Sequence, residues 1–206
     1  AMGNLTATTN PDNFTVGFTH DPLGRVRSAF DEEGREARRT LDVLGRMRAL
    51  IDPNGNAETF TYHGPEQDAR LEQSCDALAR CTTFDYDANG NVTVLTDNAG
   101  HTTLTTYDAL DRPVRIVEPA YDDPTLGTVR PVTVYVYDTL GNLTQIRAGH
   151  TDASGTNPGA DVLTTQQIAT YDDWGRTLTE TDALGRTTRY TPNVHGDLVR
   201  IEDAEG

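Results

Sequence analysis

The stretch from Tyr171 to Pro192 reads YDDWGRTLTETDALGRTTRYTP and contains the pattern Asp-x-x-Gly-Arg twice, at Asp172 and at Asp182. An Asp at the first position of a tight turn accepts hydrogen bonds from the backbone N–H groups that follow it, and a Gly at the fourth position tolerates a positive φ. The residues between the two turns are rich in Thr and suit a β-strand. The stretch therefore predicts two β-hairpins in tandem.

Asp-x-x-Gly turns recur along the chain at alternating steps of 10 and 11 residues, as from Asp21 through Asp31 to Asp42. The alternation defines a unit of 21 residues with two turns, and about eight such units fit the chain. First turns are predicted to begin at residues 21, 42, 63, 87, 108, 138, 172 and 193, and second turns at 31, 52, 76, 97, 118, 148, 182 and 203. The placements at 118 and 148 depend on spacing alone.

The predicted fold class is all-β. A strand every 10 or 11 residues makes an antiparallel array of tandem hairpins, and so wide a sheet is expected to curve or spiral. Residues 1–3 resemble an expression scar, residues 4–19 form an N-terminal lead-in, and residues 20–206 form the repeat array. Insertions interrupt the array near 64–74, 119–132 and 149–167. Tyrosines that precede first turns are expected to form a ladder on one face, with packing favoured over sugar binding: Tyr62, Tyr86, Tyr107, Tyr137 and Tyr171.

The charge of the chain argues against several partners. The net charge of −15 repels phosphate backbones and anionic lipids, so we expect no nucleic-acid partner. The chain has neither a long apolar run nor a signal peptide, so we expect no membrane insertion. Exposed edge strands predict some self-association.

Catalysis is not predicted. The five histidines are scattered, neither HExxH nor GxSxG occurs, and carboxylates are frequent because the turns use Asp. We therefore predict no catalytic residue and no cofactor.

Three sets of residues are candidates for binding or cross-linking. Asp85, Asp87 and Asn89 resemble the first half of a calcium loop, but Thr96 replaces the Glu that would complete it, so a plain turn is the alternative. Tyr121, Asp122, Asp123 and Trp174 are candidates for a partner or sugar, with surface padding as the alternative. Cys75 and Cys81 form a disulfide or remain two reduced core residues.

The repeats resemble the Rhs or YD-repeat family, whose motif runs Tyr-Asp-x-x-Gly-Arg/Asn-Leu-Thr. Residues 137–144 and 171–179 match this motif closely, and residues 181–190 resemble its second half. The resemblance implies the wall of a hollow β shell in a bacterial polymorphic toxin or a Tc-toxin-like protein, with the rest of the parent chain and its enclosed cargo as partners. It also implies a secreted or cell-surface protein. The alternative function is an adhesion module that binds carbohydrate or a protein through the inserted loops.

Overall fold

The structure is a computed structural model that describes residues 3–64 and 69–204. The chain divides into two units, residues 1–85 and 86–206. The strands of the first unit are β1 (Ala7–Thr9), β2 (Thr15–His20), β3 (Val26–Phe30), β4 (Glu36–Leu41), β5 (Met47–Ile51), β6 (Ala57–Tyr62), β7 (Leu71–Cys75) and β8 (Cys81–Tyr86). The lead-in predicted over residues 4–19 contains β1 and most of β2, which pair with each other.

The second unit contains longer strands and one 3-10 turn, Pro158–Ala160. Its strands are β9 (Val92–Thr96), β10 (Thr102–Tyr107), β11 (Pro113–Val117), β12 (Tyr121–Asp123), β13 (Gly127–Tyr137), β14 (Leu143–Asp152), β15 (Val162–Tyr171), β16 (Thr177–Asp182), β17 (Thr187–Pro192) and β18 (Leu198–Glu202).

Strand pairing follows the order of the chain within each unit. Consecutive strands pair antiparallel from β1 to β8, from β9 to β11 and from β12 to β18. Strands β11 and β12 both pair with β13, on the side opposite β14 and over different stretches of its length. The predicted fold class, an all-β antiparallel array of tandem hairpins, is confirmed. In such a meander successive turns lie at opposite ends of the strands. We call the row of first turns the first edge and the row of second turns the second edge.

Two predicted second turns are wrong. Glu118 begins no tight turn: its N–H donates to the Pro131 carbonyl over 2.9 Å, and β12 forms an inserted hairpin with the start of β13. Ala148 lies inside β14, and the chain reverses only at Asp152, where the Gly155 N–H donates to the Asp152 carbonyl over 3.1 Å. Paired strands can lengthen together without loss of register, so a fixed spacing misplaces such turns.

The insertions are therefore largely strand in the second unit. Residues 119–132 contain β12 and the start of β13, and residues 149–167 contain the end of β14 and the start of β15. In the insertion predicted over 64–74, residues 65–68 lie outside the described residues, and β7 begins at Leu71. The degenerate turn at Asp76 is present, with Ala79 at φ 58° in the place of glycine.

A β-bulge accompanies seven of the eight first turns. The register shifts by one residue at His20, Leu41, Tyr62, Tyr107, Tyr137, Tyr171 and Pro192. The hairpins of the second turns at residues 31, 52, 76, 97 and 182 keep an unbroken register. Strands β14 and β15, which flank the turn at Asp152, also contain a register shift, between Ile146 and Arg147. Since a bulge bends its strand and increases local twist, most of the bending accompanies the first turns.

The two faces of the sheet have different composition. Because side chains alternate along a strand, Tyr62, Tyr107, Tyr137 and Tyr171 lie on one face, the tyrosine face. The residues before them lie on the opposite face, the threonine face, and include Thr61, Thr106 and Thr170. The fully buried Val117 and Val132 lie on the threonine face of the second unit, where the register places them opposite each other.

Candidate functional site

Every regular turn is closed by the side chain of its Asp. In the turn at Asp172, Oδ1 accepts the N–H groups of Trp174 and Arg176, both over 3.0 Å, and Oδ2 accepts Nε of Arg176 over 2.6 Å. The fifth residue of the turn is Arg, Asn or His in most repeats, and its side chain makes the same contact. One turn exchanges the two roles, because Asn193 accepts the backbone N–H groups and donates Nδ2 to Asp197.

These contacts keep the turn carboxylates ionised. The hydrogen bond from the Arg112 side chain is the largest influence that lowers the pKa of Asp108 from 3.8, partial burial opposes it, and the Arg112 and Leu110 N–H groups add to it. The hydrogen bond from Asn142 does the same to the pKa of Asp138, although Asn142 carries no charge. A hydrogen-bond donor at the fifth position is therefore what the turn requires.

The tyrosine face carries a hydrogen-bonded ladder from one repeat to the next. Four of the five predicted ladder tyrosines donate the hydroxyl to a backbone carbonyl of the preceding repeat, in each case that of the residue five after the first-turn Asp. The pairs are Tyr62 to Met47 at 2.8 Å, Tyr107 to Val92 at 3.0 Å, Tyr137 to Pro113 at 3.1 Å and Tyr171 to Leu143 at 2.8 Å. The predicted role of these tyrosines in packing thus includes a specific polar contact.

The fifth residue of a first turn also contacts the next repeat. The guanidinium carbon of Arg46 lies 4.3 Å from the ring centre of Tyr62, and that of Arg112 lies 4.3 Å from the ring of Tyr137. A guanidinium over an aromatic face is attracted by the ring electrons. The first turns at Asp42 and Asp108 therefore contact the next repeat through one cation, one ring and one hydrogen bond.

First-turn glycines need space as well as a positive φ. A Cβ added to Gly175, at φ +77°, would lie 3.0 Å from Oδ1 of Asn142 in the preceding first turn. At Asp111, which replaces glycine at φ 60°, the carboxylate instead accepts Nδ2 of Asn89 and Nδ2 of Asn91 over 2.8 and 2.7 Å. Consecutive first turns thus touch even where the sequence departs from the motif.

A separate buried cluster lies on the threonine face of the second unit. Arg115 pairs in bidentate fashion with Asp161 at 2.8 and 2.6 Å, and the two side chains are 10% and 6% exposed. Arg115 also donates to the Gly155 carbonyl over 2.7 Å, so the segment 152–161 is held against β11. The hydrogen bond from Arg115 lowers the pKa of Asp161. We call this cluster and the segment above it the covered patch.

The covered patch contains a second arginine that donates only to backbone carbonyls. Arg130 donates Nε to the Glu118 carbonyl over 2.8 Å and Nη2 to the Thr102 carbonyl. Its burial, and the charge of Arg115, lower its pKa. Gly155 is required above it, because an added Cβ would lie 2.9 Å from Val117 and 3.1 Å from Arg130. Composition and spacing did not point to this cluster, although Asp152 and Gly155 match the turn motif.

The candidate calcium residues are engaged in their own turn. Oδ1 of Asp87 accepts the N–H groups of Asn89, Gly90 and Asn91, and Oδ2 accepts Nδ2 of Asn91. Asp85 lies in β8. Over residues 3–64 and 69–204, no group of three or more His, Cys, Asp or Glu side chains is placed to hold a metal ion. A calcium site at Asp85, Asp87 and Asn89 stays a prediction.

The candidate partner-binding residues do not form one site. Tyr121, Asp122 and Asp123 lie in β12, which extends the second edge, whereas Trp174 lies at a turn of the first edge. Asp122 accepts the Thr128 hydroxyl and Asp123 caps the following turn. Trp174 is 79% exposed, and the Arg176 guanidinium lies 5.0 Å from the centre of its ring.

Cys75 and Cys81 are joined as a disulfide beside the second turn at Asp76. They occupy directly opposite positions of β7 and β8. The equivalent positions of other repeats hold Thr96 with Thr102 and Thr181 with Thr187, whose hydroxyls lie 3.3 and 2.8 Å apart.

In the part of the chain that the structure describes, no helix is long and apolar enough to cross a membrane.

The chain is similar to known repeat proteins. The model of the family described as RHS Repeat matches residues 20–57, 86–123 and 171–206, which together make up more than half of the chain. A stretch of 116 residues is 34% identical to the Toxin protein Tse5 of Pseudomonas aeruginosa and covers 55% of this chain and 9% of that protein.

Solved structures share the fold. The pore of the Photorhabdus luminescens Tc holotoxin with a mutant TccC3 superposes with a TM-score of 0.61 at 17% identity, over 98% of this chain and 11% of that chain. A crystal structure of TcdB2-TccC3-TEV superposes with a TM-score of 0.60 at 16% identity, over 98% of this chain and 12% of that one. The chain thus spans about a tenth of the length of the relatives that it matches.

Proposed function

The chain belongs to the RHS repeat family, and from that premise we propose that it is a stretch of wall in a toxin-related shell that encloses the cargo of its parent protein. The observation that carries the proposal is the tyrosine ladder together with the contacts between successive first turns. Contacts between successive first turns recur although the residues at the turn tips differ. This is what we expect of a continuous wall and not of a surface that recognises a specific ligand. The similarity to a toxin protein and to Tc toxin components supports the same role.

In this proposal the described residues perform no catalysis. The turn carboxylates are all occupied by donors of their own turns, and the buried Asp161 is paired with Arg115. The partners are the rest of the parent chain and its cargo, and the parent is secreted or displayed at the bacterial surface. The cargo meets the wall through one face of the sheet.

The first test is the sequence of the gene that encodes the chain. Enclosure requires many more Asp-x-x-Gly repeats than this chain holds, followed by a C-terminal segment unlike the repeats. Finding both supports the proposal. A gene that encodes only these repeats would overturn it, because a wall this short encloses nothing.

A second test measures enclosure directly in the full-length parent protein. Limited proteolysis should leave the C-terminal cargo segment intact while exposed loops are cut. Replacing Tyr137 by Ala removes one rung of the ladder and should speed cargo cleavage, whereas Tyr121→Ala, at a tyrosine that is 47% exposed, should not. Equal cleavage of cargo in the wild type and after chemical unfolding would contradict enclosure.

Adhesion through the inserted loops is less well supported. The segment 152–161 is held against its own sheet by Arg115, so it is not free to bind. Tyr121 and Trp174 remain exposed, but they lie at opposite edges. Saturable binding of the chain to a glycan array, lost on deletion of residues 119–127, would favour adhesion.

A further inference from the structure

The tyrosine ladder lacks a ring at its last position. Between the first turns at Asp172 and Asn193, the position that holds tyrosine in other repeats is Pro192. The place of the ring is a pocket of about 350 Å³, open to solvent on one side and lined by Arg176, Thr177, Glu180, Tyr190, Pro192 and Leu198, which we call the cavity. An apolar cavity of about 150 Å³ holds a benzene molecule, so this one has room for a phenol ring.

The groups that hold the ring elsewhere are present at this cavity. Arg176 corresponds to Arg112, which stacks on Tyr137, and the Thr177 carbonyl corresponds to the Pro113 carbonyl, which accepts the Tyr137 hydroxyl. The spacing between the two turns is also kept, because an added Cβ on Gly196 would lie 3.3 Å from Nη1 of Arg176, as one on Gly141 would lie 3.4 Å from Nη1 of Arg112. The cavity therefore has the recognition elements of a filled rung.

Another departure from tyrosine is compensated within the chain. Leu41 replaces tyrosine before the turn at Asp42, and there Nε of Arg39 donates to the Val26 carbonyl, which is the fifth residue after Asp21. At Pro192 no such replacement occurs. Within residues 3–64 and 69–204, no side chain donates to the Thr177 carbonyl, and the nearby Tyr190 hydroxyl donates instead to Oε2 of Glu180 over 3.1 Å.

We propose that this cavity is a binding slot for a tyrosine side chain of another polypeptide segment. The ring enters from the tyrosine face, lies against the Arg176 guanidinium and donates its hydroxyl to the Thr177 carbonyl. A polypeptide occupant, and not a free phenol, is favoured by the surroundings. The turns at either side carry Trp174 and Val194 at their tips, 79% and 95% exposed, so the apolar surface extends beyond one ring.

The test uses the full chain with isotope-labelled backbone amides and the peptide acetyl-Thr-Tyr-Asp-amide, which copies residues 106–108. Titration should shift the amide signals of Thr177, Tyr190 and Leu198 in a saturable manner. The matching Phe peptide lacks the hydroxyl and should bind roughly fivefold more weakly. Absence of saturable shifts at these residues would overturn the proposal.

Variants distinguish binding of the peptide in the slot from nonspecific binding. Arg176→Gln removes the guanidinium and should weaken binding roughly threefold to tenfold. Arg186→Gln is the matched control, because Arg186 makes the same ion pair with Asp182 at the second edge, and it should leave binding unchanged. Equal weakening by both variants would contradict a slot at Arg176.

Pro192→Tyr tests the slot by filling it with a side chain of the chain itself, while Arg176 and Thr177 are kept. The introduced side chain should restore the missing rung, raise the melting temperature and abolish peptide binding. Peptide binding that persists undiminished in this variant would show that the peptide lies elsewhere. Titration with p-cresol distinguishes the source of the ring, since equal affinity for p-cresol and the peptide would overturn a polypeptide occupant.

Discussion

The two edges of the sheet are built from the same turn in different surroundings. At the first edge the aspartates at 21, 42, 108 and 172 have side chains 12–23% exposed, whereas those at 31, 76, 97 and 182 on the second edge are 32–41% exposed. Added Cβ atoms on Gly34, Gly55, Gly100 and Gly185 of the second edge would meet nothing within 4 Å. The first edge is thus a packed row, and the second edge is a row of separate turns.

The difference shows that one local motif serves two purposes. The Asp-to-fifth-residue contact closes the chain at both edges, but only at the first edge does the fifth residue reach the neighbouring repeat. The ladder tyrosines occur at that edge, and so do seven bulges, whereas one further bulge lies between β14 and β15. Local hydrogen bonding therefore forms every regular turn. Contacts between regular turns of successive repeats occur at the first edge, and elsewhere repeats are joined in the covered patch.

Acid should weaken both edges at once and has the largest expected effect. Folded pKa values of the turn aspartates lie below 3.8, as for Asp31, where the Arg35 side chain is the largest cause, and for Asp108, where the Arg112 side chain is. The folded state therefore holds fewer protons than the unfolded chain, and stability is complete above about pH 5. The melting temperature should fall as the pH drops through 3.8. A melting temperature that stays constant through that range would contradict this account.

Removal of the disulfide at the second edge should lower the stability of the chain. The double substitution Cys75→Thr and Cys81→Thr installs the pair found at Thr96 and Thr102, so the local shape is kept. The disulfide closes a short loop, so the double substitution should lower the free energy of unfolding by about 2 kcal/mol. Chemical denaturation in oxidising and reducing buffer measures it. The wild type should lose stability on reduction and the variant should not.

A matched pair of turn variants compares the edges at either end of β16. Asp172→Ala removes the acceptor of a first turn and Asp182→Ala that of a second turn, and both pair with an arginine four residues on. We expect the melting temperature to fall by about 5 °C in the first case and about 2 °C in the second, because only the first turn also supports its neighbours. Equal falls would remove the distinction between the edges.

Loss of one ladder hydroxyl should have the smallest effect. Tyr137→Phe keeps the ring against Arg112 but removes the hydrogen bond to the Pro113 carbonyl, and we expect a loss of about 1 kcal/mol in unfolding free energy. Tyr121→Phe, at an exposed tyrosine of β12, should change the free energy by less than about 0.5 kcal/mol. Urea denaturation of both variants decides the comparison, and no loss for Tyr137→Phe would show that the ladder depends on its rings alone.

Local chemistry made most of the array predictable. The regular turns, the strands between them and the tyrosine row follow from Asp, Gly and β-branched residues at fixed spacing. The turn at Asp152 was misplaced because spacing was followed in preference to the Asp-x-x-Gly155 pattern. The hairpin after Val117 was missed for the related reason that inserted residues can extend strands as well as loops.

The covered patch was beyond prediction for a different reason. Arg115 and Asp161 are 46 residues apart, and each belongs to a residue type that is seldom buried. Their pairing depends on how an insertion folds back on the sheet, which composition does not encode. The role of the fifth turn residue was visible as a recurrent Arg or Asn, but its reach to the next repeat depends on the stacking of the first turns.

The empty space around the second-turn glycines has a consequence for protein engineering. Nothing lies within 4 Å of a Cβ added to Gly185, and the register on both sides of that turn is unbroken. A foreign peptide grafted between Asp182 and Arg186 would meet no neighbouring repeat, so the second edge offers regularly spaced sites for display on a scaffold whose cohesion resides at the opposite edge.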